Sequence, residues 1–156
     1  MKIGFYAGSF DPFTIGHLHI VKTASKIFDK VIIGIGVNPQ KKRRYDRDLM
    51  RQAILDLLKE QKIYNVECVI FEGLTADVAK EFNSTFLIRG VRNGMDYDFE
   101  ENLALINEEI SQIDTLYIRA GAYGAVSSSM VYELLKRNRD VSKYLPSQIY
   151  NAIKDE

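Results

Sequence analysis

Five short apolar runs alternate along this chain with longer segments in which apolar residues recur every three or four positions. The runs cover residues 2–6, 31–37, 66–71, 85–88 and 115–118. Each run is short enough for a buried strand, and each intervening segment is long enough for a crossover helix. The alternation predicts an α/β fold with five parallel strands and crossover helices.

The segments between the strands each carry one apolar face. The first predicts a helix from near His17, and Asp46 can cap the second helix. A third helix is predicted to begin at Thr75 and a fourth near Asp96, followed by a helix over residues 127–137 and a short last one. The face residues of the first and fourth helices are Leu18, Val21, Ala24, Ile27, Phe28, Phe99, Leu103, Ile106 and Ile110.

Length, charge and cysteine content limit the class of protein. A chain of 156 residues predicts one domain. Its 21 basic and 21 acidic residues balance, whereas nucleic-acid binding needs a clustered excess of lysine and arginine. No apolar run reaches the ~18 residues of a membrane span, and because the sequence begins directly with a predicted strand, we expect no signal peptide. With Cys68 as the single cysteine, we expect a cytoplasmic protein without an internal disulfide.

A glycine-bearing loop and the start of a helix follow the first predicted strand. The stretch reads Tyr6-Ala7-Gly8-Ser9-Phe10-Asp11-Pro12-Phe13-Thr14-Ile15-Gly16-His17. It places the hydroxyl of Ser9 and the imidazole of His17 near a helix N-terminus, where free N–H groups stabilise phosphate oxygens. Such a corner suits a nucleotide, although a Gly-His pair alone is also compatible with a partly exposed structural histidine.

Thr14-Ile15-Gly16-His17 resembles the T/H-x-G-H motif of the nucleotidylyltransferase superfamily, and the longer string from Gly8 is similar to the bacterial phosphopantetheine adenylyltransferase family. The resemblance implies one nucleotidylyltransferase domain over residues 1–156 with a Rossmann-like, doubly wound sheet. It implies transfer of the adenylyl group of ATP to 4′-phosphopantetheine, giving dephospho-coenzyme A and pyrophosphate. Ser9, Phe10 and His17 are implied ATP contacts, His17 is an implied catalytic residue, and Ser9 also contacts the acceptor.

Two arginines bracket a glycine after the fourth predicted strand, in Arg89-Gly90-Val91-Arg92. Arginine forms forked contacts with phosphate oxygens, but these could also be surface arginines neutralised by the acidic residues that follow. The resemblance implies that Arg89 is catalytic and binds the acceptor phosphate, and that Gly90, Val91, Arg92 and Glu100 contact ATP.

Three serines, Ser127, Ser128 and Ser129, open the helix predicted over residues 127–137. One serine is needed as an N-cap, and the remaining hydroxyls with the free N–H groups make an anion site. The segment resembles the family's I-S-S-S motif, which implies contacts with the β- and γ-phosphates of ATP. The preceding Tyr123, Gly124, Ala125 and Val126 are implied ATP contacts, although the family pattern there is bulkier.

A basic cluster follows the second predicted strand. Lys41 matches a family lysine that is catalytic and binds the acceptor phosphate, and Lys42 is an open alternative. The next residues, Arg43-Arg44-Tyr45, depart from the proline and hydrophobic residues common in the family. Thr75 matches a position that contacts the pantetheine arm, and it can also cap the third helix.

The implied reaction is a direct in-line attack on the α-phosphorus of ATP. It needs no general base, because a phosphate monoester has a second pKa of about 6. Positioning and charge stabilisation remain for the protein. Mg²⁺ is the implied cofactor, held mainly through ATP phosphates without a dedicated set of protein ligands.

Two other functions stay open. A small nucleotidylyltransferase of the glycerol-phosphate cytidylyltransferase type would carry R-T-x-G-I-S-T-T where this chain has residues 122–129, Ala-Tyr-Gly-Ala-Val-Ser-Ser-Ser. A nucleotide-binding sensor would keep the pocket without turnover. The resemblance also implies a homohexamer with ATP and 4′-phosphopantetheine as partners, and neither nucleic acid nor membrane.

Overall fold

The sheet confirms the predicted architecture. The computed structural model describes residues 1–156 except for the side chains of Phe99 and Glu100, and across them five strands form one sheet in the order β3-β2-β1-β4-β5. The strands are β1 (Ile3–Gly8), β2 (Lys30–Gly36), β3 (Val66–Phe71), β4 (Phe86–Val91) and β5 (Asp114–Arg119). Every neighbouring pair is parallel, as a doubly wound α/β sheet requires.

Helices cover both faces of the sheet. They are α1 (Ile15–Ile27), α2 (Arg47–Glu60), α3 (Thr75–Glu81), α4 (Gly94–Ser111), α5 (Ser128–Lys136) and α6 (Ser147–Ile153), with a 3₁₀ turn at Gly121–Tyr123. On one face, α1, α2, α5 and α6 enclose the larger core around Phe13, Ile54 and Ile149. On the other face, α3 packs over a smaller core around Phe5 and Leu87, and α4 lies beside α3.

The order of the strands places a crevice between β1 and β4. From β1 the chain winds outward through β2 to β3, then returns to the other side of β1 and winds outward through β4 to β5. The connections that leave β1 and β4 therefore diverge in opposite directions. In open parallel sheets, ligands bind at this switch point, beyond the carboxyl ends of the strands.

Helix caps test the sequence predictions locally. Asp46 caps α2 as predicted, with its Oδ1 accepting the Leu49 N–H at 2.9 Å. The predicted cap at Thr75 is wrong: Leu74 is the N-cap of α3, and no side chain caps that helix. Thr75 is the first helical residue, so its hydroxyl lies one position past the place from which an N-cap reaches the free N–H groups.

Two predicted helix faces were partly wrong. Ile27 at the end of α1 is 51% exposed, and Ile106 and Ile110 on α4 are 55% and 43% exposed. Among the described residues of α4, the buried ones are instead Ala104, at 5% exposure, and Ser111, at 3%. Helical spacing identifies an apolar side of α4 correctly, but the pattern does not say whether another element of the same chain covers it.

Three further predictions concern the fourth strand, the cysteine and membrane-spanning helices. Strand β4 extends to Val91, so Arg89 and Gly90 lie within it rather than after it. Cys68 is buried in β3, as predicted for a small apolar side chain. Within the described residues, no helix is long and apolar enough to cross a membrane.

Candidate active site

A cleft of about 350 Å³ lies over the carboxyl ends of β1 and β4. It brings together predicted site residues from three separate segments of the chain. These are Ser9, Phe10, His17, Arg89, Gly90, Arg92, Tyr123, Val126, Ser127, Ser128 and Ser129. The cleft therefore sits at the switch point, where the topology predicts a ligand.

The remaining predicted residues lie elsewhere or are not described. Lys41 and Lys42 line an adjoining pocket of about 390 Å³, which shares Ser9, Ser128 and Ser129 with the cleft. The cleft wall does not include Val91, Thr75, Gly124 or Ala125. The side chain of Glu100 is outside the described part of the structure.

His17 is held by a reciprocal pair of hydrogen bonds at the start of α1. Thr14 is the N-cap, and its Oγ1 accepts the His17 N–H at 3.4 Å. In return, His17 Nδ1 accepts the Thr14 backbone N–H at 2.9 Å. This is a capping box with histidine in the place usually taken by Glu or Gln. Because Nδ1 accepts, the proton of the neutral ring lies on Nε2, which is left to act as a donor.

Two aromatic side chains pack against the imidazole ring of His17. The ring of Phe10 meets it edge-on at 5.0 Å between centroids, and the ring of Phe13 lies at 5.4 Å. Phe10 reaches this place from a left-handed backbone conformation, with φ of 47°, which a bulky side chain adopts only when its surroundings impose it.

Burial, reinforced by the positive charge of Arg92, lowers the pKa of His17 from 6.5 to about 4. At neutral pH the ring is therefore an uncharged N–H donor.

The start of α5 supplies a second group of donors. The first N–H groups of an α-helix have no partner inside the helix and carry a partial positive charge. In α5 these belong to Ser128 and Ser129, both of which line the cleft. The arrangement can bind an anion with backbone groups alone.

Each of the three serine hydroxyls has a different protein partner. Ser127 is the N-cap of α5, and its Oγ accepts the Met130 N–H at 3.1 Å. Ser128 Oγ donates to the carbonyl of Pro12 at 2.7 Å, which joins α5 to the loop after β1. Ser129 Oγ lies 3.1 Å from Arg44 Nη2 and accepts from it. Ser127 and Ser129 act as acceptors in these bonds, so each can still donate its own proton to a ligand.

The two arginines of the predicted Arg-Gly-Val-Arg segment have different surroundings. Arg89 is half-buried in β4, and its Nη1 donates to the Ala7 carbonyl at 3.2 Å. Arg92 forms a forked pair with Asp96, through Nε at 2.8 Å and Nη2 at 3.1 Å. This bond is the main reason why the pKa of Asp96 is lowered. The expectation that acidic residues neutralise part of this segment therefore holds for Arg92.

Sequence reasoning missed the part played by Asp11 and the arginines of the basic cluster. The Asp11 carboxylate accepts the backbone N–H groups of Arg44 at 2.8 Å and Tyr45 at 2.9 Å. Arg43 is half-buried, and its Nη1 donates to the Ser9 carbonyl at 2.8 Å. The loop after β2 is thus tied to the loop after β1. In the sequence, the signal for this contact was the basic cluster after β2, in which Arg43 and Arg44 depart from the family pattern.

Taken together, these groups form a donor-rich surface suited to phosphates. The cleft wall presents the neutral imidazole of His17, the N-terminus of α5 and two arginines, while Lys41 and Lys42 line the adjoining pocket. Among the described residues that line the cleft, Asp96 is the one carboxylate, and it is hydrogen-bonded to the guanidinium of Arg92. Such a surface favours polyanionic ligands and can stabilise charge that develops on a phosphoryl group.

Comparison with known proteins identifies the family. A sequence profile of the cytidylyltransferase-like family matches residues 5–134. The phosphopantetheine adenylyltransferase of Lachnoclostridium phytofermentans is 37% identical over 158 positions, which cover 100% of this chain and 96% of that protein. This chain belongs to the phosphopantetheine adenylyltransferase family. The phosphopantetheine adenylyltransferase of Cytophaga hutchinsonii is 41% identical over 150 positions, which cover 95% of this chain and 99% of that protein.

A solved structure extends the comparison to the fold. The Plasmodium falciparum nicotinic acid mononucleotide adenylyltransferase, complexed with NaAD, matches this chain with a TM-score of 0.74 at 17% identity. The match covers 99% of this chain and 95% of that one. At this identity the likeness concerns the fold alone, and it agrees with the Rossmann-like architecture that the phosphopantetheine adenylyltransferase resemblance implied.

Proposed function

We propose that this protein transfers the adenylyl group of ATP to 4′-phosphopantetheine, giving dephospho-coenzyme A and pyrophosphate in coenzyme A biosynthesis. Family membership over the whole chain supports the choice of substrates. The observation that carries the mechanism is the meeting of an uncharged His17 donor with the N-terminus of α5 in one cleft at the β1–β4 switch point.

The reaction is a single displacement at phosphorus. A 4′-phosphate oxygen of the acceptor forms a bond to the α-phosphorus, and the bond from that phosphorus to the oxygen that bridges to the β-phosphate breaks. Pyrophosphate leaves with the bonding electrons. No proton must be removed from the nucleophile, since a phosphate monoester is largely ionised at neutral pH, with a second pKa of about 6.

His17 acts as the donor to the α-phosphoryl oxygens. Its Nε2–H would donate to the phosphoryl oxygens as they gain negative charge. The hydrogen bond from the Thr14 N–H to Nδ1 keeps the proton of the neutral ring on Nε2. A neutral donor of this kind stabilises the transition state without forming a tight ion pair with bound ATP. Preorganisation by Phe10 and Phe13 avoids a cost of reorientation during the reaction.

The two ends of the cleft bind the two anionic groups. Ser127–Ser129 and Arg92 would hold the β- and γ-phosphates that depart as pyrophosphate. Arg89, Ser9 and Lys41 would hold the attacking phosphate, and Thr75 would lie toward the pantetheine arm. Lys41 and Lys42 line the adjoining pocket, which shares Ser9 as well as Ser128 and Ser129 with the cleft. Lys42 remains the alternative to Lys41.

Mg²⁺ is the proposed cofactor. When bound, it neutralises charge on the triphosphate. Within the described residues, no three His, Cys, Asp or Glu side chains converge as metal ligands, and Asp96 is engaged by Arg92. This arrangement fits an ion that is held through ATP oxygens and water rather than by a carboxylate cage.

Release of pyrophosphate tests the proposed function. The purified chain is assayed with ATP and 4′-phosphopantetheine, with CTP and glycerol 3-phosphate, and with each nucleotide alone. We expect turnover with the first pair only. Turnover with CTP and glycerol 3-phosphate would point to a cytidylyltransferase, and ATP binding without turnover of either pair would point to a sensor.

We also propose a homohexamer located in the cytoplasm. Support for self-association comes from α4, where Leu105, Ile106 and Ile110 leave 57%, 55% and 43% of their surface exposed. Apolar side chains grouped in this way mark contact surfaces. Light scattering should give six copies for the wild type and smaller species for Ile106→Glu, while Tyr64→Glu, at a residue that is 81% exposed near β3, should not dissociate the assembly. A monomeric wild type would contradict the proposal.

A further inference from the structure

We propose that Arg44 is an additional phosphate-binding residue, which contacts the β- or γ-phosphate of ATP and the pyrophosphate that leaves. The inference rests on the proposed function, and it adds a side chain from the loop after β2 to a site otherwise formed by α5. In the sequence, Arg44 lies 85 positions from its partner Ser129. The family resemblance assigned it no role, because the family tends to carry a hydrophobic residue there.

Contacts place the Arg44 guanidinium beside the serine cluster. Nη2 donates to Ser129 Oγ at 3.1 Å, and Nη1 donates to the Asp11 carbonyl at 3.1 Å. The guanidinium carbon lies 4.7 Å from the centre of the Tyr132 ring, and the Arg44 backbone N–H is held by the Asp11 carboxylate. These bonds orient a flexible side chain before any ligand arrives, which lowers the entropic cost of binding.

The charge of Arg44 is available to an anion. Of the arginines near this end of the cleft, Arg92 is paired with Asp96 and Arg43 lies 3.6 Å from an Asp11 carboxylate oxygen. Across the described residues, no carboxylate forms an ion pair with the Arg44 guanidinium, and two of its five N–H groups have protein acceptors. The residue is exposed, so the remaining three N–H groups can reach a ligand.

The neighbouring groups indicate which anion. Arg44 shares its pocket with Lys41 and Lys42, which are proposed for the acceptor phosphate, but its own side-chain hydrogen bond is to Ser129 at the start of α5. Ser129 contributes both a hydroxyl proton and a free helix N–H to the same place, so a phosphate there would receive bonds from α5 and from Arg44 together. Guanidinium forks match phosphate oxygens in geometry as well as charge. The terminal phosphates of ATP are the ones that the serine segment is proposed to hold.

Binding of ATP and AMP, measured by titration calorimetry on the full chain without acceptor, tests the proposal. Arg44→Gln should weaken ATP binding about tenfold or more, since a charge-assisted contact is lost. AMP lacks the terminal phosphates, so its affinity should stay within about twofold. Arg44→Lys, which keeps the charge but not the fork, should fall between wild type and Arg44→Gln. Arg139→Gln, an exposed residue beyond α5, controls for the loss of one positive charge.

The outcomes separate this inference from the proposed function. Equal weakening of ATP and AMP would assign Arg44 a structural role in the loop and overturn the inference, as would unchanged ATP binding in both Arg44 variants. If Arg44→Gln unfolds, Arg44→Lys and the inhibition constant for inorganic pyrophosphate decide the matter, with a rise in that constant supporting a phosphate contact. A wild type that turns over while Arg44 has no effect leaves the proposed function intact. A wild type that binds no ATP overturns both.

Discussion

Replacing His17 by alanine tests the central group of the site. The change removes the Nε2–H donor from the cleft, and the loss of one such donor lowers kcat by about 10²- to 10³-fold, or roughly 3–4 kcal/mol of transition-state stabilisation. The ring is neutral at pH 7 because its pKa is about 4, so it makes no ion pair with bound ATP. The affinity for ATP should therefore change little, and the effect should appear in kcat.

The same substitution has a separate effect on stability. It leaves the N–H of Thr14, a residue only 1% exposed, without the Nδ1 acceptor that lies at 2.9 Å. An unpaired buried donor costs about 1–3 kcal/mol, and loss of the contacts with Phe10 and Phe13 adds about 1 kcal/mol. His17→Gln can restore the capping bond, because glutamine is a natural partner at this position of a capping box. It should recover stability without recovering kcat, because the aromatic rings no longer hold a donor in place.

Steady-state kinetics, ATP titration and urea denaturation of the two variants provide the measurements. An alanine variant that raised the KM for ATP while keeping kcat would refute the assignment of a transition-state donor. Equal recovery of kcat and stability by His17→Gln would mean that the histidine acts only as a helix cap.

Three further predictions concern protonation, capping and reactivity. The folded pKa of His17, about 4, lies below its value of 6.5 in the unfolded chain, so the unfolded state binds more protons between these pH values. The free energy of unfolding should then fall as pH falls from 6.5 to 4, by up to about 1.4 kcal/mol per unit from this group, and His17→Gln should lose that component. Ser127→Ala removes the acceptor of the Met130 N–H and should cost about 1 kcal/mol in urea denaturation; an unchanged midpoint would contradict the cap. Burial raises the pKa of Cys68 to about 12, so a thiol reagent at pH 8 should label it only after denaturation, and rapid labelling of the folded protein would refute this.

Local interactions explain why much of the fold could be predicted. The β3 run was located to the residue, and Asp46 was identified as the cap of α2, because an apolar run and an N-capping side chain can both be recognised from a few neighbouring positions. The start of α1 was placed at His17 rather than Ile15, since the capping role of Thr14 was not recognised. The apolar side of α4 was found, but its exposure at Ile106 depends on what surrounds the helix.

The candidate site was likewise predictable only in part. Its residue types and their order after the strands were readable, because parallel strands bring their carboxyl ends to one edge. The protonation and the ion pairing of these groups could not be read from the sequence. The lowered pKa of His17 depends on burial and on Arg92, and the pairing of Arg92 with Asp96 decides how much of its charge remains for a ligand.

Short-range spacing in the sequence encodes the alternation of strands and helices, the cap of α2 at Asp46 and the set of phosphate-binding residue types. Which polar groups meet follows from tertiary packing. Ser128 bonds to Pro12, and Arg44 reaches Ser129, across separations of 116 and 85 residues. Side-chain partners at such distances follow from the packing of α5 and the loop after β2 around β1, and no local pattern encodes them.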